Sequence, residues 1–340
     1  MAIITWKGKH PIDEQILLTS AVKFQTLEIL PAPSAENISS NLLTPIHDWH
    51  NRLISGDKST FLPALLPEFA NTIDLIYIDP PFMTGRDFTS GTQLAYSDKW
   101  QNDLDGYLQW LYETFQLLRL LLSQHGSLYV HLDWRTTHYA KLILDEIFGF
   151  NPNAEGPGFK GEIIWHYQTG GRSQKCYARK HDTILLYTKS ADYAFHGERI
   201  GERRGTQQRN HMRKNMDADG RVSWSIRSAG RLYTYHEDTI MTPADVWNDI
   251  SHLHQKDPER IGYATQKPSA LLERIILASS EENDLVLDCF CGSGVTPVVA
   301  EQLGRRWIAC DQSHLAIQLT QQRLLEQQHC HPFLVQKVDP

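Results

Sequence analysis

The chain has 340 residues, of which 41% are hydrophobic and 21% charged, a composition typical of a folded protein rather than a disordered one. No apolar run is long enough to span a membrane, and the N-terminal residues lack the basic-then-apolar order of a signal peptide. The five cysteines include no Cys-x-x-Cys pair, which argues against a disulfide framework or zinc site and predicts a reduced, cytoplasmic protein.

Short apolar runs alternate with amphipathic segments along most of the chain. Continuous apolar runs suit strands covered on both faces, as in a parallel sheet, and a period of 3.6 indicates helices. The predicted strands are 52–55, 73–78, 127–132, 162–165, 182–187, 285–287 and 307–309. The predicted helices are 60–69, 104–122, 136–148, 270–278 and 296–303.

The alternation stops between about residues 190 and 260, where the chain is polar, arginine-rich and interrupted by glycines. This pattern predicts an α/β fold, a doubly wound and mostly parallel sheet of Rossmann-like type with one inserted region. The predicted parts are an N-terminal extension (1–45), a first half of the domain (46–189), an insertion (190–260), a second half (261–328) and a tail (329–340).

Positive charge is concentrated in the insertion. The net charge of −7 argues mildly against nucleic-acid binding, yet residues 199–231 hold nine Lys or Arg against three Asp or Glu. A locally basic face on an acidic body is sufficient for phosphate contact, although a solvated loop explains the pattern equally well. The predicted phosphate contacts are Arg199, Arg203, Arg204, Arg209, Arg213 and Lys214.

A glycine-rich turn follows the predicted strand 285–287. The turn contains Gly292 and Gly294 and opens a helix, which lets a ligand approach the backbone closely. Asp311 ends the next strand, where a carboxylate can accept both ribose hydroxyls of an adenosine. The spacing does not separate NAD from S-adenosylmethionine, and an ordinary strand-to-helix turn also fits. However, the turn lacks the third glycine of a dinucleotide site, and Asp288 would repel a pyrophosphate while attracting a methionine ammonium.

The second motif is Asp79-Pro80-Pro81-Phe82, directly after an apolar strand. An exocyclic amine is a poor nucleophile because its lone pair is delocalised into the ring. The Asp79 carboxylate and the Pro80 carbonyl can accept hydrogen bonds from the two N–H groups of the amine and so direct its lone pair towards a methyl donor. Phe82 offers a face on which a base taken out of a duplex can stack. Asp-Pro-Pro is also common in ordinary turns.

The two motifs together resemble the amino-methyltransferases that modify DNA at adenine N6 or cytosine N4, over roughly residues 47–325. Their order, with Asp-Pro-Pro-Phe first and the glycine turn last, is similar to the beta class, and residues 78–85 are similar to type III modification subunits. The segments 265–276 and 180–187 also resemble the family. The resemblance implies double-stranded DNA as the substrate, base flipping and direct in-line methyl transfer.

The resemblance also implies roles for individual residues. The catalytic loop would be Asp79, Pro80, Pro81 and Phe82. The residues that bind S-adenosyl-L-methionine would be Asp57 for its adenine amine, Thr265, Gln266 and Lys267 for closure, Asp288, Phe290, Gly292 and Gly294 for the methionine part, and Asp311 for the ribose. No metal is expected.

Several alternatives remain open. Aspartate at the first loop position favours adenine N6 among such enzymes, but cytosine N4 presents a similar amine. A nicotinamide-dependent oxidoreductase could use the same glycine turn, and a non-enzymatic DNA-binding subunit could keep the fold. The resemblance allows for a homodimer and for a companion restriction endonuclease, but the sequence specifies neither.

Overall fold

The computed structural model describes residues 3–13, 23–31, 49–90, 93–101, 103–167, 174–206 and 211–338. The described strands are β1 (Phe24–Leu30), β2 (Asn51–Ser55), β3 (Ile73–Ile78), β4 (Asp87–Ser90), β5 (Gln93–Ser97), β6 (Leu122–Leu132), β7 (Gly158–His166), β8 (His181–Thr188), β9 (Glu202–Arg203), β10 (Arg213–Met216), β11 (Val222–Ser228), β12 (Arg231–His236), β13 (Ile240–Met241), β14 (Val246–Trp247), β15 (Leu285–Asp288), β16 (Arg306–Asp311) and β17 (Phe333–Val338). The described helices are α1 (Lys58–Phe69), α2 (Leu104–Leu121), α3 (Thr137–Phe148), α4 (Gly197–Ile200), α5 (Ser269–Ser279), α6 (Val295–Gln302) and α7 (His314–Leu325).

The chain forms two compact units. The larger one joins Met1–Ala194 to Asp245–Pro340, and the smaller one is Phe195–Ala244. The smaller unit is therefore narrower than the predicted insertion, because β14 pairs with β7 and joins the larger unit. Within the described residues, no helix is both long and apolar enough to cross a bilayer.

The larger unit is built on a ten-stranded sheet in the order β1-β17-β2-β16-β15-β3-β6-β8-β7-β14. The strands from β17 to β6 are parallel to one another. At one side of this group β1 is antiparallel to β17, and at the other side β8 is antiparallel to β6 and to β7. The chain leaves β15 towards β16 and leaves β3 towards β6, so the direction of winding reverses between β15 and β3. Ligands bind at such a switch point, beyond the carboxyl ends of the strands. The predicted fold class is confirmed.

Helices cover both faces of this sheet, which explains the uninterrupted apolar runs. Ile76 and Ile78 of β3 pack into one core with residues of α1, α2 and α3. Leu75 and Tyr77 of the same strand point the other way, into a core with α5 and α6. A strand buried on both faces has no solvent side, so no polar alternation appears in its sequence.

The chain ends differ from the sequence prediction. The predicted tail 329–340 is wrong for its central part, because β17 lies inside the sheet between β1 and β2 with Phe333 fully buried. The described part of the predicted extension adds β1 at the sheet edge. Helix α7 was also not predicted. Each of these segments is short or rich in polar residues, so its burial is set by neighbours distant in the sequence.

The smaller unit has its own secondary structure. Strands β10, β11 and β12 form an antiparallel sheet, and β9 pairs with β13. Trp224 of β11 is 2% exposed, and the Arg204 guanidinium lies 4.5 Å from the centroid of its ring. A buried tryptophan with a stacked cation thus forms the centre of this small unit.

Glu301 of α6 gives a test of the packing at the amino ends of β2, β16 and β17. Its buried carboxylate accepts hydrogen bonds from Asn51 Nδ2 at 3.0 Å, Trp307 Nε1 at 2.8 Å and the His331 backbone N–H at 2.8 Å. We expect Glu301→Ala to lower the free energy of unfolding by about 3 kcal/mol, because buried donors lose their acceptor. Urea unfolding followed by tryptophan fluorescence measures this. The exposed Glu282→Ala is the control, and an equal effect of both changes would contradict the assignment.

Candidate active site

A cavity of about 260 Å³ lies beyond the carboxyl ends of β3, β15 and β16. Register places these ends together, since Leu287 of β15 pairs with both Ile76 and Ile308. The structure therefore joins two motifs that are far apart in the sequence. The predicted site residues in the cavity wall are Asp57, Asp79, Pro80, Pro81, Phe82, Thr265, Lys267, Asp288, Phe290, Gly292 and Asp311.

The glycine turn shapes one side of the cavity. Gly292 and Gly294 have positive φ angles of 50° and 75°. A Cβ at Gly294 would lie 2.5 Å from Thr320 Oγ1, so the turn needs this glycine for packing and not only for its backbone angles. Asp311 accepts the Gly292 N–H at 2.9 Å and the Ser313 N–H at 2.8 Å. Burial raises the pKa of Asp311 to about 6.

Asp288 is the second buried carboxylate in this wall. It accepts the Phe290 N–H at 2.9 Å and a short hydrogen bond from the Thr296 hydroxyl. Burial raises its pKa to about 7, and these two hydrogen bonds oppose the rise. Two buried carboxylates in one wall favour a ligand that carries hydroxyl donors or positive charge.

The loop of residues 79–82 follows β3 and presents Asp79 to the same cavity. One oxygen, Oδ2, pairs with the Lys267 ammonium. The other, Oδ1, is buried and has no hydrogen-bond partner among the described residues. An unpartnered buried acceptor is costly, and it indicates a position where a ligand donates a hydrogen bond. Lys267, which was predicted to close over the cofactor, lines the cavity and pairs with Asp79, and its Nζ lies 5.4 Å from the Phe82 ring centroid.

Asp98 fixes the conformation of the loop, and sequence analysis missed it. Its carboxylate accepts the backbone N–H groups of Met83 at 2.9 Å and Thr84 at 2.8 Å, and the Trp100 indole at 3.2 Å. Asp98 is 1% exposed and follows the β4–β5 hairpin. It matches no motif in the sequence, because its partners are backbone groups that only the folded hairpin brings close.

Phe82 rests on a buried hydrogen-bond network. Its ring stacks on His131, with centroids 6.2 Å apart and an interplanar angle of 25°. His131 is fully buried between the Tyr77 hydroxyl at 2.9 Å and Asp182 at 3.3 Å. Burial would raise the pKa of Asp182, but the His131 contact, the Lys267 charge and the Tyr167 hydroxyl outweigh it and lower that pKa. The network gives the Phe82 ring a rigid support.

The opposite side of the cavity begins at α1. Asp57 caps this helix, accepting the Ser59 N–H at 2.9 Å, and it lines the cavity. Lys58, which sequence analysis missed, is buried with its Nζ 3.2 Å from the Trp110 carbonyl oxygen, and burial lowers its pKa. The ring centroids of Trp110 and Phe290 are 5.4 Å apart. This side therefore combines aromatic rings with one buried cation.

Some predicted residues are not in the cavity wall. Gln266 instead accepts the Ile261 N–H at 3.0 Å and donates to the Glu259 carbonyl at 2.8 Å, so it shapes the turn before α5. Gly294 supports the turn by packing against Thr320.

The predicted phosphate contacts also separate into groups. Arg199, Arg203, Arg213 and Lys214 are exposed on the smaller unit, and Arg209 lies outside the described residues. Arg204 departs from the prediction: it is 5% exposed and stacks on Trp224, because the small unit uses its alkyl and guanidinium surface as core.

Comparison with known proteins identifies the same region. The family model described as DNA methylase matches residues 73–322. The Type II methyltransferase M.HpaI of Haemophilus parainfluenzae is 32% identical over 256 residues, covering 75% of this chain and 68% of that protein. The DNA adenine methyltransferase YhdJ of Escherichia coli is 29% identical over 277 residues, covering 80% and 82%.

A solved structure supports the fold. The putative DNA modification methylase TTHA0409 from Thermus thermophilus, complexed with S-adenosyl-L-methionine, superposes with a TM-score of 0.52 at 19% identity. The superposition covers 85% of this chain and 98% of TTHA0409.

The raised pKa of Asp288 predicts a pH dependence of stability. The unfolded carboxyl releases its proton near 3.8, whereas the folded one keeps it to about 7. The folded state therefore binds more protons in this window, and stability falls as the pH rises from about 4 to about 7. An Asn at this position does not titrate. We therefore expect the free energy of unfolding of Asp288→Asn, measured with urea and without cofactor, to fall less between about pH 4 and about pH 7 than that of the wild type. Asp105→Asn, at an exposed position of α2, should behave like the wild type. Identical pH profiles for the wild type and Asp288→Asn would contradict the burial argument.

Proposed function

Because the chain belongs to the DNA methylase family, we propose that it transfers a methyl group from S-adenosyl-L-methionine to adenine N6 in double-stranded DNA. The observation that carries the proposal is the buried, unpartnered Oδ1 of Asp79, which shares one cavity with the glycine turn and Asp311. An acceptor for an amine and a nucleoside-binding turn are thereby brought into one space. The nicotinamide alternative lacks such a role for Asp79.

The cavity fits S-adenosyl-L-methionine chemically. When bound, this cofactor supplies a methyl group activated by a sulfonium. Asp311 uses two backbone N–H donors, which leaves carboxylate lone pairs for ribose hydroxyls. Asp288 provides negative charge at the turn for the methionine ammonium, and Phe290 provides an apolar wall. We assign Asp57 to the adenine amine, since its carboxylate lines the α1 side of the cavity.

Asp79 and Pro80 orient the target amine. Asp79 Oδ1 and the Pro80 carbonyl accept the two N–H bonds, which turns the nitrogen lone pair away from the ring and towards the methyl carbon. With the cofactor bound, the amine nitrogen would displace S-adenosylhomocysteine from the methyl carbon, and the proton lost by the methylated nitrogen would pass to solvent. Lys267 keeps its ion pair with Asp79 Oδ2, so that Oδ1 is the oxygen that accepts from the target amine.

Phe82 holds the target base. A base inside a duplex cannot reach the cavity, so the nucleotide must rotate out of the stack. The Phe82 face, supported from behind by His131, offers a platform of fixed orientation. A rigid platform matters because a small misplacement of the amine relative to the methyl group sharply reduces the rate.

The choice of adenine over cytosine has two supports. Asp79 stands at the first loop position, where the family resemblance favours adenine. The relative YhdJ, named a DNA adenine methyltransferase, is 29% identical over 80% of this chain. Cytosine N4 offers the same two N–H bonds and is the alternative.

We assign DNA recognition to the smaller unit. Arg213 of β10 is paired with Ser225 of β11, which is paired with Thr234 of β12. These three side chains therefore lie on one face of the small sheet. Arginine and hydroxyl side chains of this kind contact phosphates and base edges. The exposed Arg199, Arg203 and Lys214 add phosphate contacts. A cytoplasmic location, a homodimer and a companion restriction endonuclease are consistent with this proposal.

Product analysis tests the proposal directly. Unmethylated genomic DNA is incubated with the protein and labelled S-adenosyl-L-methionine, digested to nucleosides and separated by mass spectrometry. We expect N6-methyl-2′-deoxyadenosine. N4-methylcytosine would overturn the choice of base, and the absence of any methylated base would contradict the proposed activity.

Asp79→Asn tests the role of the loop. An amide can present its own N–H to the target amine, so we expect kcat to fall by about 10²–10³-fold, as for other removed oriented acceptors or donors. The dissociation constant for S-adenosyl-L-methionine, measured by calorimetry, should change little. Asp105→Asn on α2 is the matched control and should keep full activity. An Asp79→Asn variant with wild-type kcat would rule out the mechanism.

A further inference from the structure

A second basic surface lies on the larger unit, at the sheet edge that carries the active site. Trp134 follows β6, and Arg179 precedes β8. These strands are antiparallel neighbours, with Leu132 paired to Thr183, so the end of one lies beside the start of the other. None of these residues lines the cavity described above. We call Trp134, Arg135 and Arg179 the Trp134 cluster.

Stacking holds the guanidinium groups of the cluster in place. The Arg179 guanidinium lies 3.7 Å from the centroid of the Trp134 ring, and that of Arg135 lies 4.9 Å from it. Trp134 is 42% exposed, and Arg179 is exposed. Stacking on an aromatic face leaves the N–H donors at the guanidinium edge available for another group.

The nearby carboxylates already have partners. Asp133 accepts the Arg135 backbone N–H at 2.8 Å and pairs with the Arg135 guanidinium. Asp182 accepts from His131 and from Tyr167, at 3.3 Å and 2.8 Å. Within the part of the chain that the structure describes, Arg179 has no carboxylate in ion-pairing distance. Among the described residues, the positive charge of Arg179 is therefore not compensated by a carboxylate, whereas that of Arg135 is paired with Asp133.

The cluster is close to the platform for the target base. Phe82 stacks on His131, and Trp134 is only three residues further along the chain. Three residues of extended chain span at most about 10 Å. A nucleotide whose base reaches Phe82 must keep its sugar and phosphates outside the cavity, on the same edge. Tyr177, two residues before Arg179, is a 98% exposed aromatic side chain in the segment that leads into β8.

We propose that the Trp134 cluster binds the DNA backbone beside the flipped nucleotide, with Arg179 as the phosphate contact and Trp134 as the support that orients it. Planar guanidinium donors match phosphate oxygens in a two-pronged geometry, and pre-ordering by stacking lowers the entropy lost on binding. The proposal rests on the proposed function for the identity of the polymer. It adds a DNA contact that is separate in sequence from the basic residues of the smaller unit.

The dependence of DNA affinity on salt tests the contact. Affinity of the full chain for a fluorescent random-sequence duplex is measured by anisotropy over a series of salt concentrations. We expect Arg179→Ala to weaken binding about tenfold at low salt and to reduce the slope of log affinity against log salt by about one, as for loss of one phosphate contact. Arg179→Lys should retain the slope and lose only part of the affinity. Trp134→Ala should weaken binding with little change in slope.

Arg306→Ala is the matched control. Arg306 also stacks on a tryptophan, with its guanidinium 5.0 Å from the Trp49 centroid, but it begins β16 at the opposite end of the parallel strands. It should bind DNA like the wild type. Calorimetric titration with S-adenosyl-L-methionine checks that every variant is folded.

Two results separate this inference from the proposed function. If the wild type methylates DNA and Arg179→Ala binds DNA with the same slope as Arg306→Ala, the cluster assignment is overturned and the proposed function stands. If the wild type methylates no base but Arg179 still contributes one unit of slope, the surface is supported and the proposed function fails.

Discussion

The pairing of β15 with β3 is the constraint on which the whole site depends. Asp74 Oδ2 of β3 accepts the Leu285 N–H of β15 at 3.0 Å across 211 sequence positions, and its Oδ1 accepts the Ser123 hydroxyl of β6 at 3.2 Å. This carboxylate of β3 thus contacts both neighbouring strands, β15 and β6, at the amino end of the sheet. A slip of one residue in this register would move every side chain of a strand to the other face.

With this register, the strand ends meet at the point where the winding direction reverses. The loop after β3 then faces the turn after β15, and both open into one cavity. The chain needs no element dedicated to joining the motifs. The loops after β15 and β3 lead in opposite directions, so the strand order itself leaves a cleft between them. The sequence then has to supply suitable residues in these two loops.

The buried carboxylates of the cavity reduce the stability of the fold when they ionise. Burial raises the pKa of Asp288 to about 7 and of Asp311 to about 6, so the ligand-free fold resists ionising both. Asp79 differs from these two carboxylates because it forms an ion pair. Lys267 contacts its Oδ2, and its Oδ1 has no hydrogen-bond partner among the described residues. The site is therefore strained electrostatically where a cationic, hydroxyl-bearing or N–H-bearing ligand would relieve it. Functional sites commonly reduce stability in this way.

Sequence alone determined the fold class, most strands and helices of the larger unit, and the two motifs. These features are encoded locally: apolar runs mark strands buried on both faces, and glycines and prolines restrict the backbone wherever they occur. It also placed Asp79, Asp288 and Asp311 at or directly after the ends of strands, and all three line one cavity in the structure.

Only the tertiary structure decided which side chains act on these motifs. Asp98 binds backbone groups of the loop, Lys267 contacts Asp79, and Arg204 is buried against Trp224 rather than exposed. The placement of β17 inside the sheet likewise depends on partners far away in the chain. Such contacts arise from register and packing between distant segments. The sequence does not show whether a charged residue holds a loop in place, forms an ion pair or is buried against an aromatic ring.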